Sequence, residues 1–124
     1  MALQQAPTAP TAPEVPAADV AVALDGLTRS YRSRSGTVEA LRGVTHAFRA
    51  GTFTAIMGPS GSGKSTLLQL AAGLDRPTSG QVSIGGIVLG RLSQAELSRL
   101  RRSRMGFVFQ SYNLFPHMSV LKNI

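Results

Sequence analysis

Residues 58–66 read Gly58-Pro59-Ser60-Gly61-Ser62-Gly63-Lys64-Ser65-Thr66. These types and spacings fit G-x-x-x-x-G-K-[ST], and the chemistry of that pattern is capture of a polyphosphate. Glycines let the backbone bend tightly and approach an anion, because no Cβ stands in the way. In such a bend successive N–H groups point inward as an anion-binding nest. A helix that starts there adds its positive dipole end. Lys64 would bring a full charge to the β- and γ-phosphates. The Ser65 hydroxyl would ligate Mg²⁺, which prefers hard oxygen ligands. Each charge-assisted hydrogen bond to phosphate is worth about 1.5–3 kcal/mol, so several together hold a triphosphate.

A bare Gly/Ser loop is the competing reading of the same residues, and the flanks decide against it. Before the loop, Thr52-Phe53-Thr54-Ala55-Ile56-Met57 is short and largely apolar, which predicts a buried parallel strand. After it, Leu67, Leu70, Ala71 and Leu74 recur at helical spacing, and Gly73 is placed to end that helix. Strand, glycine loop and helix is the context that the motif requires.

The elements that must position this loop come from a chain of 124 residues, 43% hydrophobic and 15% charged, long enough for one domain with a core. No apolar run reaches the length of a membrane span. The absence of cysteine excludes disulfides and thiolate metal sites, and suits a cytosolic protein. The formal net charge of +7 fits an anionic partner, nucleic acid or lipid. It equally fits a partial domain whose acidic residues lie elsewhere, which is the preferred reading.

Residues 1–18 are rich in Ala, Pro and Thr, which predicts disorder or transient polyproline II, and they lack the pattern of a signal peptide. Residues 20–24 read as a first strand, followed by 27–31. The polar tip at 32–37 predicts a hairpin loop around Gly36, and residues 38–48 supply a second strand and, past a break at Gly43, a third. Gly85-Gly86 between two apolar runs predicts a tight hairpin. Ser93-Gln94-Ala95-Glu96 fits a capping box, with Leu92 and Leu97 placed as a hydrophobic staple. That helix should reach about Arg104, with Leu97 and Leu100 inward. Its basic end, Arg99, Arg101, Arg102 and Arg104, is read first as a solvated face that complements the helix dipole and second as a nucleic-acid patch; no aromatic stacking series is interleaved. Gly106-Phe107-Val108-Phe109 predicts another buried strand, which ends in Gln110 where open α/β sheets bind ligands. Ser119 starts a last helix.

Taken together these residues resemble an ATP-binding cassette (ABC) transporter ATP-binding subunit. The resemblance runs from about Val20 to the end of the chain. It rests on Tyr31, on residues 56–68, on Gly73-Leu74-Asp75-Arg76-Pro77-Thr78-Ser79-Gly80 and on Gly106-Phe107-Val108-Phe109-Gln110. Leu74-Asp75-Arg76-Pro77 and the stretch from Gly106 to Leu114 are similar to the branch with the macrolide-export and lipoprotein-release ATPases. The resemblance implies an α/β fold: a P-loop NTPase core with an antiparallel β layer, incomplete because its C-terminal half is missing. Residues 19–124 would be the N-terminal part of the nucleotide-binding domain, after the tail at 1–18.

What the resemblance implies for the site is ATP with Mg²⁺. Tyr31 would stack on adenine; a tyrosine packed in the hairpin core stays open as the alternative. Gly58, Pro59, Ser60, Gly61, Ser62, Gly63, Lys64, Ser65 and Thr66 would hold the phosphates. Gln110 would touch Mg²⁺, beside Ser65, and the attacking water; a strand-end amide satisfied by backbone is its alternative. His46 and His117 match no switch histidine. The family's signature segment, Walker B strand and switch histidine all follow a glutamine like Gln110, and none lies in these 124 residues. The chain is therefore expected to bind ATP weakly at best and not to hydrolyse it alone. A membrane-spanning partner near residues 110–116, an ATP-dependent homodimer when full length, and a peripheral place on the cytoplasmic face of the membrane follow from the resemblance; nucleic acid is not an expected partner. The alternatives are an ABC-type ATPase acting on DNA and an inactive truncated product. Cargo and direction of transport are not encoded in these residues.

Overall fold

A computed structural model describes residues 16–123; most of the tail at 1–18 lies outside the described residues. A 3-10 turn at Ala17–Asp19 leads into β1 (Val20–Ser33), which pairs antiparallel with β2 (Gly36–Arg49). Both strands have 14 residues and are joined only by Arg34 and Ser35, so the loop is shorter than the polar tip suggests. The nine residues from Gly58 to Thr66 then turn into helix α1 (Lys64–Ala71). Strands β3 (Ser79–Ile84) and β4 (Ile87–Val88) follow, then α2 (Gln94–Arg104) and a short α3 (Val120–Asn123). The sheet order is β2-β1-β3-β4, and every pairing is antiparallel.

Two bulges explain why β1 and β2 stay unbroken where the sequence suggests interruptions. Leu24 pairs with His46 and Leu27 with Val44, so Asp25 and Gly26 together oppose Thr45. The Gly26 N–H there donates to the Thr45 hydroxyl at 2.9 Å. One step on, Leu27 pairs with Val44 but Thr28 with Arg42, which leaves Gly43 as the extra residue of β2. Each bulge moves the strand by one residue and so changes which face follows. Leu24 and Leu27, three apart, are both buried, and so are Leu41 and Val44.

Those four side chains form the floor of the core. Leu67 and Leu70 of α1 cover it, Val82 and Ile84 of β3 extend it, and Leu89, Leu97 and Leu100 close it from the α2 side. Burying a leucine fully contributes about 1.5–3 kcal/mol, so this cluster is the main favourable term. The β3–β4 turn has Gly85 at φ +54° and Gly86 at φ +80°, the two left-handed residues of a type I′ hairpin. Helix α2 starts with the expected capping box: the Ser93 hydroxyl accepts from the Glu96 N–H, and the Glu96 carboxylate accepts from the Ser93 N–H. Helix α1 ends in a Schellman motif, Gly73 N–H to the Leu70 carbonyl and Leu74 N–H to the Gln69 carbonyl. Leu74 itself is 42% exposed, outside the inward set.

Two expected strands do not form. Residues 52–57 and 106–109 join no ladder among the described residues. Phe53 is 96% exposed, Met57 87% and Val108 80%. A parallel strand exists only by pairing with strands remote in sequence and by having both faces covered. The ladders present are all antiparallel and leave these two apolar runs unpaired.

Candidate functional site

The phosphate-loop residues close on themselves before they enter α1. The Ser62 N–H donates to the Pro59 carbonyl at 3.2 Å, which sets the first turn of the loop. A Cβ at Gly58 would stand 2.7 Å from the Ser62 hydroxyl. Gly63 caps α1 at φ +91°, and a Cβ there would lie 2.5 Å from the Ala40 carbonyl oxygen and 3.1 Å from Leu41. The loop therefore sits against the backbone of β2 at a position only glycine can occupy.

Lys64 folds back over this loop. Its ammonium donates to the carbonyls of Gly58 at 2.6 Å and Pro59 at 2.7 Å, and to the Ser62 hydroxyl at 3.3 Å. No side chain among the described residues caps the N-terminus of α1, and its first turn holds no acidic residue. The first N–H groups of a helix lack intrahelical partners, so this end carries positive potential. An ammonium beside such an end suits a multiply charged anion.

Lys64 and Ser65 open onto a groove of ≈ 520 Å³ that Gln110 also lines. The fold thus brings the expected phosphate-contacting lysine, the hydroxyl one residue on and the Gln110 amide to one place. The Ser65 hydroxyl and the Gln110 amide oxygen are hard oxygen donors, the chemistry that Mg²⁺ takes alongside phosphate oxygens and water. The donor set fits that ion.

Tyr31 stands apart from this groove. It pairs with Val38 across the hairpin, two residues before the Ala40 carbonyl that touches Gly63. It is 37% exposed, so it is not packed in the hairpin core. Its hydroxyl donates to Asp75 at 3.3 Å, and the Arg29 guanidinium lies over its ring, 4.5 Å from the centroid. Arg29 in turn pairs with Asp75 at 3.0 Å. The guanidinium pKa is raised above its ordinary value, most by the Tyr31 hydroxyl, with burial opposing and the Asp75 charge assisting. Reasoning from sequence missed Arg29 and Asp75. Arg29 carried a signal, since residues two apart on a strand share a face.

Among the four arginines at the basic end of α2, Arg101 is engaged within the fold. It donates to the Gly73 carbonyl at 2.7 Å and to the Ser98 hydroxyl at 3.3 Å. It thereby ties α2, which leads to Gln110, to the end of the helix that begins with Lys64.

A family model described as ABC transporter matches residues 41–123. The macrolide export ATP-binding/permease protein MacB of Nitrobacter winogradskyi is 47% identical over 103 residues, 83% of this chain and 16% of that protein. The lipoprotein-releasing system ATP-binding protein LolD of Legionella pneumophila is 42% identical over 106 residues, 86% of this chain and 47% of that protein. Among solved structures, the dimeric post-hydrolysis state of the ATP-binding cassette MJ0796 of Methanocaldococcus jannaschii, bound to ADP and Pi, superposes with a TM-score of 0.77 at 43% identity; the match covers 82% of this chain and 44% of that one. The chain spans less than half the length of each of these three proteins. No helix among the described residues is long and apolar enough to cross a membrane.

Proposed function

The chain belongs to the ABC transporter family, and from that premise we propose that it binds Mg-ATP through residues 58–66 in the service of transport across a membrane. One observation carries this reading: the loop wedged by Gly63 against β2 directs Lys64 and Ser65 into the groove that Gln110 also lines. The backbone N–H groups at the start of α1 hold the phosphate oxygens. Lys64, released from the Gly58 and Pro59 carbonyls, neutralises charge on the β- and γ-phosphates. Ser65 and Gln110 are the residues that would hold Mg²⁺, which when bound would neutralise phosphate charge. Tyr31 offers its ring to the adenine, and Thr66 is counted with the phosphate-holding residues.

Residues 19–124 are read as the N-terminal part of a nucleotide-binding domain, with the tail at 1–18 outside it. Residues 110–116 expose Tyr112, Leu114 and Phe115, which suits contact with a membrane-spanning partner on the cytoplasmic face. A homodimer formed around ATP is supported by the dimeric state named for the MJ0796 cassette.

ATP titration of the wild-type chain and of Lys64→Ala tests the reading. Binding that needs Mg²⁺ and is lost in Lys64→Ala supports it. Equal binding by the two chains would sink it.

A further inference from the structure

Tyr31 is held on two sides by groups that the phosphate loop does not use. Arg29 covers one face of its ring at 4.5 Å from the centroid, and Asp75 takes its hydroxyl at 3.3 Å. Asp75 also fixes Arg29: a single guanidinium nitrogen, Nη2, lies 3.1 Å from one carboxylate oxygen and 3.0 Å from the other. The Arg29 Nε is buried and has no hydrogen-bond partner among the described residues. The guanidinium is thus placed for the ring at the expense of one of its own donors, and a buried unpaired donor is costly enough to need a reason. Asp75 is itself anchored, accepting from the Arg76 N–H at 2.8 Å just past the end of α1. The three side chains come from β1 and from the turn after the phosphate-loop helix, so they tie the ring to the element that carries Lys64.

We infer that Arg29 and Asp75 are positioning residues for a purine base: they fix the Tyr31 ring with one face on a cation and leave the opposite face to stack on the base of the bound nucleotide. The inference rests on the nucleotide reading above. A cation on one face draws electron density from the ring. The other face then stacks better on an electron-rich purine. The hydroxyl bond to Asp75 holds the far end of the side chain against a swing that stacking would otherwise have to freeze out, and the guanidinium on one face sets the ring plane.

Parallel calorimetric titrations of the full 124-residue chain with ATP and with inorganic tripolyphosphate separate the base from the phosphates. Arg29→Ala and Asp75→Asn are expected to weaken ATP about 3- to 10-fold while changing tripolyphosphate by less than about twofold. Arg29→Lys keeps the cation and should restore most of the ATP affinity. In a Tyr31→Ala background, Arg29→Ala should cost little more, because both act through one ring. If Tyr31→Ala weakens ATP and Arg29→Ala does not, the inference is overturned and the nucleotide reading stands. Equal weakening of both ligands by Arg29→Ala and Asp75→Asn also overturns it, since the pair then only supports the fold. If the wild-type chain binds neither ligand, the nucleotide reading itself fails and takes this inference with it.

Discussion

Gly63 and Ala40 meet at a distance that admits no side chain: a Cβ on residue 63 would stand 2.5 Å from the Ala40 carbonyl oxygen. This contact joins the phosphate loop to the antiparallel sheet. It converts the position of β2 into the direction in which α1 leaves the loop.

Gly63→Ala should therefore do two kinds of harm. The backbone at φ +91° is strained for any residue with a Cβ, at a cost of about 1–3 kcal/mol. The added methyl also pushes the loop off β2 and turns the first N–H groups of α1 away from the bound anion. The expected outcome is a lower denaturation midpoint together with loss of ATP binding. Gly61→Ala, at φ +78° but with open space around its Cβ, shares the strain and lacks the clash. Equal damage from the two would count against the wedge.

The two apolar runs without ladder partners make a second expectation. Phe53 and Met57 on one, and Val108 on the other, are almost fully in water. Contiguous exposed apolar surface and unpaired backbone promote association. The 124-residue chain should bind a hydrophobic dye and elute larger than its 13.0 kDa mass. Phe53→Ser with Val108→Thr should reduce both signals while leaving amide-exchange protection in β1 and β3 unchanged. A dye-silent monomer would show that these runs find cover.

Local features of this chain were legible in its sequence, and remote ones were not. The Ser93 and Glu96 capping box, the Gly85-Gly86 hairpin and the loop that ends at Lys64 each depend on residues within a few positions of one another. Their chemistry is written in one window. The sequence reads the first strand as ending at Leu24 and the second as broken at Gly43, yet Leu24 and Leu27, like Leu41 and Val44, are buried together three apart. Only the paired register shows that bulges at Asp25-Gly26 and Gly43 return both members of each pair to one face. Residues 52–57 have the composition of a buried strand, but composition does not supply the neighbours that a parallel strand needs. Gln110 lines a groove with Lys64 and Ser65 although the strand expected to carry it does not form among the described residues. Arg29 and Asp75, 46 positions apart, meet only because β1 passes the end of α1.

Glu96 gives a pH dependence with a definite sign. Its pKa is lowered from 4.5, first by the Ser93 backbone N–H, then by the Ser93 side chain, with burial opposing and Arg99 assisting. A carboxylate with a depressed folded pKa stabilises the fold above its unfolded pKa, and the contribution fades as pH falls through the folded value. The first turn of α2 should keep its amide protection at pH 6 and lose it progressively below about pH 4.3. In Glu96→Gln that acid-dependent part should vanish. Protection at Ser93 and Leu97 that is flat in both proteins from pH 6 to pH 3 would refute the linkage.

Leu70 and Leu68 stand two residues apart on α1 with opposite consequences. Leu70 is 1% exposed and packs into the cluster with Leu27, Leu41 and Val82. Leu70→Ala removes that packing and leaves a cavity between helix and sheet, at a cost of about 2–5 kcal/mol. Leu68 is 47% exposed and lines the groove that Lys64, Ser65 and Gln110 share. Leu68→Ala should change stability by no more than about 0.5 kcal/mol, as surface substitutions do. Denaturant midpoints of the two variants test the difference directly. A large loss from Leu68→Ala would mean that the groove is packed rather than open. A small loss from Leu70→Ala would mean that α1 is not anchored to the sheet, and the Gly63 wedge would then have nothing firm to act on.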